Sequence, residues 1–367
     1  MELTKCKLGE LITQRREKND GSDLPICGVS KDGLIPPKQK DADTSIYNVF
    51  YRDDFIFNPA RMELNSIAIN DMYDRAICSS LYEVFYVHRT DLLLPHYLEL
   101  IIRQKWFTRY CEFLGQGSAR EYCRFGNISE IEIEFPPIEE QQKIVEYNTA
   151  IENRIALKQK INDNLEATAQ AYFDNLFFSC DDTDCTLADI ALVNPSRPLS
   201  KGVEARCFDM STLPTSGCIP NGDTTKPYNG GVRFINGDTL IARITPCLEN
   251  GKAAYINILN EGEVAFGSTE YIVFASKDDI PSCFYYFLIR NSKFVTFALQ
   301  FMNGSSGRQR VSGEELASFP LMIPSKEKLA AFNKVGKLVL EQMKEATEEI
   351  QFLKQFQETI TATLSSN

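Results

Sequence analysis

Histidine is almost missing from this chain of 367 residues: only His88 and His96 occur, and they lie apart in sequence. Two isolated imidazoles make neither a metal site nor a catalytic triad, so structural roles are expected for both. The eleven cysteines include no Cys-x-x-Cys pair. That argues against a zinc site and a disulfide framework, and the thiols read as small buried hydrophobes in a reducing cytoplasm. No apolar run approaches a membrane span, and Met1–Cys6 lacks the apolar core of a signal peptide, so no membrane is expected. A glycine-rich phosphate loop is missing as well. Asn58-Pro59-Ala60-Arg61 and Asn194-Pro195-Ser196-Arg197 fail the Asn-Pro-Pro-Tyr-like pattern of an amino-methyltransferase. No catalytic residue, no metal and no cofactor are expected.

A basic excess is the last absence. The net charge is −11, which by itself speaks against nucleic acid. The deficit is thinly spread, however: −4 over residues 1–137, −3 over 138–180, −4 over 181–322 and zero over 323–367. Any polyanion must therefore be met by a few placed residues or by a partner's charge.

What the chain has in quantity is helix. Pro136 to Phe178 opens with two prolines and two glutamates, then runs some forty residues without Gly or Pro. Ile144, Ile151, Leu165 and Tyr172 form one row of a seven-residue ladder; Ile155, Ala169 and Leu176 form the other. Lys158 and Asn162 are polar rungs that fix register at some cost in stability. Such a rod is about 60 Å long and needs a partner. Ser325 to Leu364 supplies one, with Phe332, Val339, Ala346, Leu353 and Ile360 on one row and Met343, Ile350 and Leu364 on the other. Gly336 and Gln357 are that row's exceptions. Two such rods at matching places predict an intramolecular coiled coil. Tyr147, Leu157, Ile161 and Phe173 lie off the ladder and are expected to await a partner's cover.

The chain also repeats itself. Leu8–Leu11 answers to Leu187–Ile190, Arg52–Phe57 to Asn236–Ile241, and Leu81–Phe85 to Glu270–Phe274. At an offset of 187, Gly117-Ser118 falls on Gly304-Ser305 and Pro137 on Pro324. Each globular part reads as mixed. Asn48–Phe57, Leu81–Val87 and Ile128–Phe135 are expected strands, with a helix over Asp91–Leu114. In the second part Thr239–Ile244, Ala253–Ile258, Tyr271–Ala275 and Phe319–Ile323 are expected strands, with a helix over Ser282–Gln300. Pro195–Ser200 and Pro214–Gly231 read as long irregular loops.

This order of globular part and long helix, twice over, resembles the specificity subunit of a Type I restriction-modification system. Pro136–Phe177 is similar to that family's central helix, Asn236–Arg243 to its Gly-Asp-hydrophobic-hydrophobic-x-Arg segment, and Gly304–Val311 to its Ser/Gly-Arg loop. The first unit departs, since Arg52-Asp53-Asp54 lacks the glycine and Gly117–Glu121 keeps one arginine. The resemblance implies an α+β fold with two target-recognition domains separated by an antiparallel pair of long coiled-coil helices. Its expected boundaries are 1–137, 138–180, 181–323 and 324–367. It implies double-stranded DNA, two methyltransferase (modification) subunits and restriction/translocase subunits as partners. Each domain would read one half of a bipartite target, with the helix pair docking the other subunits and setting the spacing.

Candidate contacts follow from residue chemistry. Ser305, Ser306, Arg308, Gln309 and Arg310 combine small residues with forked cations suited to phosphates and base edges. Ser118 and Arg120 are their partial counterparts. Arg243, Thr245 and Lys252 follow an apolar strand, and Asn58 and Arg61 occupy the comparable region of the first unit. A solvated turn, or strand-end pairs with Glu249 or Glu63, would use the same residues without DNA. Asn221, Thr224, Thr225, Lys226, Tyr228 and Asn229 could read bases from the Pro214–Gly231 loop, or form an ordinary surface. The rival reading is a coiled-coil scaffold holding two protein-binding modules. A degenerate nuclease or methylase within one globular part ranks third.

Overall fold

The computed structural model describes residues 3–31, 33–37, 43–114, 122–179, 182–305 and 307–363. The chain divides into two compact units, one of Met1–Arg154 with Leu353–Asn367 and one of Ile155–Phe352. The division runs through both long helices, so each unit holds a stretch of the helix pair beside its own globular part.

In the first unit Ile12–Arg15, Glu83–Val87, Phe55–Phe57 and Ile67–Ile69 form one antiparallel sheet in that spatial order. A second sheet orders Gly33–Ile35, Ile26–Ser30, Arg75–Cys78 and Asn48–Tyr51, its middle pair parallel. Thr4–Lys7 pairs with Glu132–Phe135, whose Ile133 and Phe135 point inward while Lys5 meets Glu134 at 3.2 Å outside.

The second unit repeats this plan strand for strand. Ala191–Val193, Tyr271–Ser276, Thr239–Ala242 and Ala253–Tyr255 make the first sheet. Thr224–Pro227, Glu204–Phe208, Ala265–Gly267 and Val232–Phe234 make the second, again with its middle pair parallel. Cys185–Thr186 and Pro320–Leu321 close the ribbon. The internal duplication read from sequence is thus a duplication of topology.

Several sequence expectations need correction. Asn48–Phe57 is two strands in different sheets, split by a turn at Arg52–Asp54. Ile128–Phe135 begins inside the short helix Phe125–Ser129, and only Glu132–Phe135 is strand. Each expected single helix is a pair: Pro95–Ile102 with Lys105–Leu114, and Cys283–Arg290 with Ser292–Gln300. In the second unit the break is Asn291, which is extended and accepts from the amide of Lys293 at 2.9 Å, capping the next helix. The Pro214–Gly231 segment contains the strand Thr224–Pro227, and Cys218 and Ile219 within it are buried.

The long helices run over Ile138–Phe177 and Lys326–Thr363. Their contacts are antiparallel and follow the ladder. In the second unit Lys158 pairs with Glu349 at 2.8 Å and Asn162 donates to Thr347 at 3.3 Å. In the first, Gln357 donates to Asn148 at 2.9 Å. The polar rungs therefore meet polar partners. Gly336 sits where a Cβ would lie 2.8 Å from the Phe332 ring and 3.1 Å from Cys283 Sγ, which explains a glycine inside a helix. Phe173 is not left for a partner. It is fully buried among Phe177, Phe284, Phe287 and Phe332, whereas Tyr147 and Leu157 are 64% and 58% exposed.

Candidate nucleic-acid interface

Both units place one buried aspartate at the turn entering the sheet's third strand. Asp54 Oδ2 accepts from the Tyr51 amide at 2.8 Å and from Arg15 Nε at 2.6 Å. Asp238 Oδ2 accepts from the Ile235 amide at 2.9 Å, and its Oδ1 accepts from Arg197 Nη2 at 2.7 Å. Burial pushes both carboxyls above the usual range in spite of their arginines. The preceding residue is left-handed in each, Gly237 at φ 90° and Asp53 at φ 66°. The glycine missing from the first unit is therefore replaced by a residue in the glycine's own conformation. The Gly-Asp element builds a turn, and its acid is structural.

Beyond that strand lies the candidate loop. In the second unit residues 309–311 lie antiparallel to residues 243–245. The Val311 amide donates to Arg243 O at 3.0 Å, the Thr245 amide to Gln309 O at 3.1 Å, and the Gln309 amide to Thr245 Oγ1 at 3.1 Å. Asn303 and Arg310 exchange two backbone bonds, and Gly304 and Gly307 take positive φ in the turn between them. Thr245 thus holds the loop's base, a role different from the contact expected of its hydroxyl.

The two loop arginines differ. Arg310 closes on Glu270, with Nη2 2.7 Å from Oε1 and Nε 2.9 Å from Oε2, and its hydrogen bonds hold that carboxyl below the ordinary range. Arg308 is exposed, and its guanidinium makes no hydrogen bond or ion pair among the described residues. The exposed Ser305 accepts from the Arg308 amide through its carbonyl at 3.0 Å. Arg243 is half-buried, with Nε unpartnered and its charge facing Glu270 and Glu315; it pairs with neither Glu249 nor Glu63. Lys252 donates to Met210 O at 2.6 Å, so its ammonium ties down a neighbouring loop. Lys226 faces the Asp209 carboxylate at 3.3 Å, and Tyr228 packs on Phe266.

Behind this surface Arg290 acts as a bracket. It donates to Gly251 O at 2.7 Å and Gly217 O at 3.0 Å, while Glu166 of the long helix accepts from the Gly217 amide at 3.1 Å and from Tyr286.

In the first unit the Asn58 side chain accepts from the Ala60 amide at 3.1 Å, capping a short 3-10 helix, so it too is structural. Arg61 is exposed without a side-chain partner among the described residues. Ser118, Arg120 and Ser306 lie outside the described residues. Sequence reasoning misses Glu270, the repeat counterpart of Leu81. It also misses a cleft of about 1080 Å³ in the first unit, walled by Leu64, Leu81, Pro36 and Tyr122. Among the described residues no His/Cys/Asp/Glu cluster fits a metal, and no helix is long and apolar enough to cross a membrane.

Two matched α+β bodies, each holding a stretch of an antiparallel helix pair, define a duplicated two-unit protein. The chain belongs to the family of the Type I restriction modification DNA specificity domain, whose sequence model matches residues 6–167 and 217–365. It is 27% identical over 192 residues to the Type I restriction enzyme EcoEI specificity subunit of Escherichia coli, covering 50% of this chain and 32% of that one. It is 36% identical over 96 residues to the EcoAI specificity subunit of the same species, covering 26% and 16%. The matches thus span about a third or less of these curated relatives. In fold the chain is similar to a Type-I restriction-modification system S subunit from M. genitalium, with TM-score 0.62 and 13% identity over 99% and 96% of the two chains.

Proposed function

We propose that this chain is the non-catalytic, cytoplasmic subunit that reads a split double-stranded DNA target for a methyltransferase and restriction complex. Residues 1–137 read one half and residues 181–323 the other. The helices within 138–180 and 324–367 dock two modification subunits and the restriction subunits, and they set the gap. The observation that carries this reading is the same two-sheet body built twice, in a chain of this family. In the second unit Arg308 is left unpaired on a glycine-rich loop, the state a DNA contact requires. In the first unit Arg61 is an exposed cation without a side-chain partner among the described residues. The acidic net charge fits a subunit whose polyanion binding is shared with partners.

The test is the salt dependence of DNA binding by the chain co-purified with its modification subunits. Counterion release requires affinity to fall steeply and linearly in log–log form. A flat response would favour the scaffold reading.

A further inference from the structure

Hydrogen bonds and strand register set positions of the two units in correspondence around the loop. The Cys123 amide donates to Pro59 O at 3.0 Å as the Val311 amide does to Arg243 O at 3.0 Å. In the sheets Phe57 stands opposite Glu83, and Ile241 opposite Ile272. One step before Cys123 is Tyr122, in the place of Arg310. Two steps before Glu83 is Leu81, in the place of Glu270. The ion-paired fork of the second unit is therefore an apolar pair in the first.

That pair is open. Leu81 is 79% exposed and Tyr122 44%, and with the 59% exposed Leu64 they wall the first unit's cleft. Large apolar side chains gathered on a cleft wall mark a contact surface. The cleft's charge is of one available sign. Glu83 is taken up by Arg124 Nη1 at 3.2 Å, the Phe125 amide at 2.8 Å and Gln14 at 3.2 Å. Arg61 and Lys31, also on the lining, have no side-chain partner among the described residues. An apolar wall with free cations suits an occupant that carries both an apolar group and phosphates. In the major groove of DNA the only apolar group on a base edge is the thymine C5 methyl.

Building on the DNA reading above, we propose that the first unit recognises its half-site through a thymine methyl packed on Leu81 and Tyr122, with Arg61 and Lys31 on flanking phosphates. The second unit, with a charged fork at the same place, has no such contact.

The experiment selects binders from random duplex libraries, one made with thymine and one with uracil, using the full-length chain in its complex. Wild type is compared with Leu81→Ala and Tyr122→Ala, both exposed positions, with thermal melts to verify folding. The expected result is a thymine position in one half-site where uracil binds about fourfold more weakly, the value of one buried methyl. Either substitution should erase that thymine–uracil difference and leave the other half-site intact. Equal binding of thymine and uracil throughout the half-site lost in these variants overturns the inference, as does an unchanged difference in both. A complex that selects no sequence from either library sinks the DNA reading itself, and this inference with it.

Discussion

Arg310 and Glu270 form a two-pronged ion pair, at 2.7 and 2.9 Å, while Arg308 two residues earlier has no acidic partner among the described residues. One arginine builds the loop and the other is free to act. Arg308→Ala is expected to weaken DNA binding by the complex, lowering the salt slope by about one if it meets a phosphate, or relaxing one target position if it meets a base. Arg310→Ala and Glu270→Ala should instead act through the loop's order, and their effects should not add in a double-mutant cycle. Additive losses for this pair, or an inert Arg308, would refute the division of labour.

Asp53 adopts a conformation that its counterpart reaches as glycine. Asp53→Gly is therefore expected to stabilise the first unit by up to about 1 kcal/mol, set against its loose contact with His96. Asp238→Ala should cost about 3–5 kcal/mol, because it strands the largely buried Arg197 and the Ile235 amide. Urea unfolding read separately for each unit tests both. A destabilising Asp53→Gly would show that the aspartate side chain matters more than its backbone.

His96 is raised above the ordinary histidine value by Glu99 first, against burial, and then by Asp53 and Asp71. A raised folded value means stabilisation that is full below the unfolded value of about 6.5 and lost as pH climbs through the folded one. Wild type should thus exceed His96→Gln in stability at low pH, with the gap closing as pH rises. A gap that widens with pH has the wrong sign for this account.

The duplication, the ladder and the strands Glu83–Val87 and Tyr271–Ser276 were legible because each rests on periodicity or repetition. Of the second sheets only Asn48–Tyr51 was, inside the expected strand Asn48–Phe57, and the other strands were not. Strands such as Ile26–Ser30 and Val232–Phe234 are three to five residues long and carry glycine or polar residues, so alternation gives little signal. Phe173 misled because it lies off the helix seam, and its partners include Phe284 and Phe287 of the globular part, which a seven-residue repeat does not encode. At the candidate interface the residue types singled out residues 304–311. They could not separate Arg308 from Arg310, since that depends on Glu270, 40 residues away in sequence. Nor could they show that Thr245, Lys252 and Asn58 also make loop-tying and capping bonds, since those use the same polar groups as contacts do.

The most direct test of a split reader is exchange of one unit. Residues 181–323 are replaced by the corresponding stretch of a relative with a known target, and methylated sites are mapped in cells carrying the complex. The account predicts a bipartite target in which one half changes and the other half stays as in the parent. A target altered in both halves, or one without two separable halves, would contradict it.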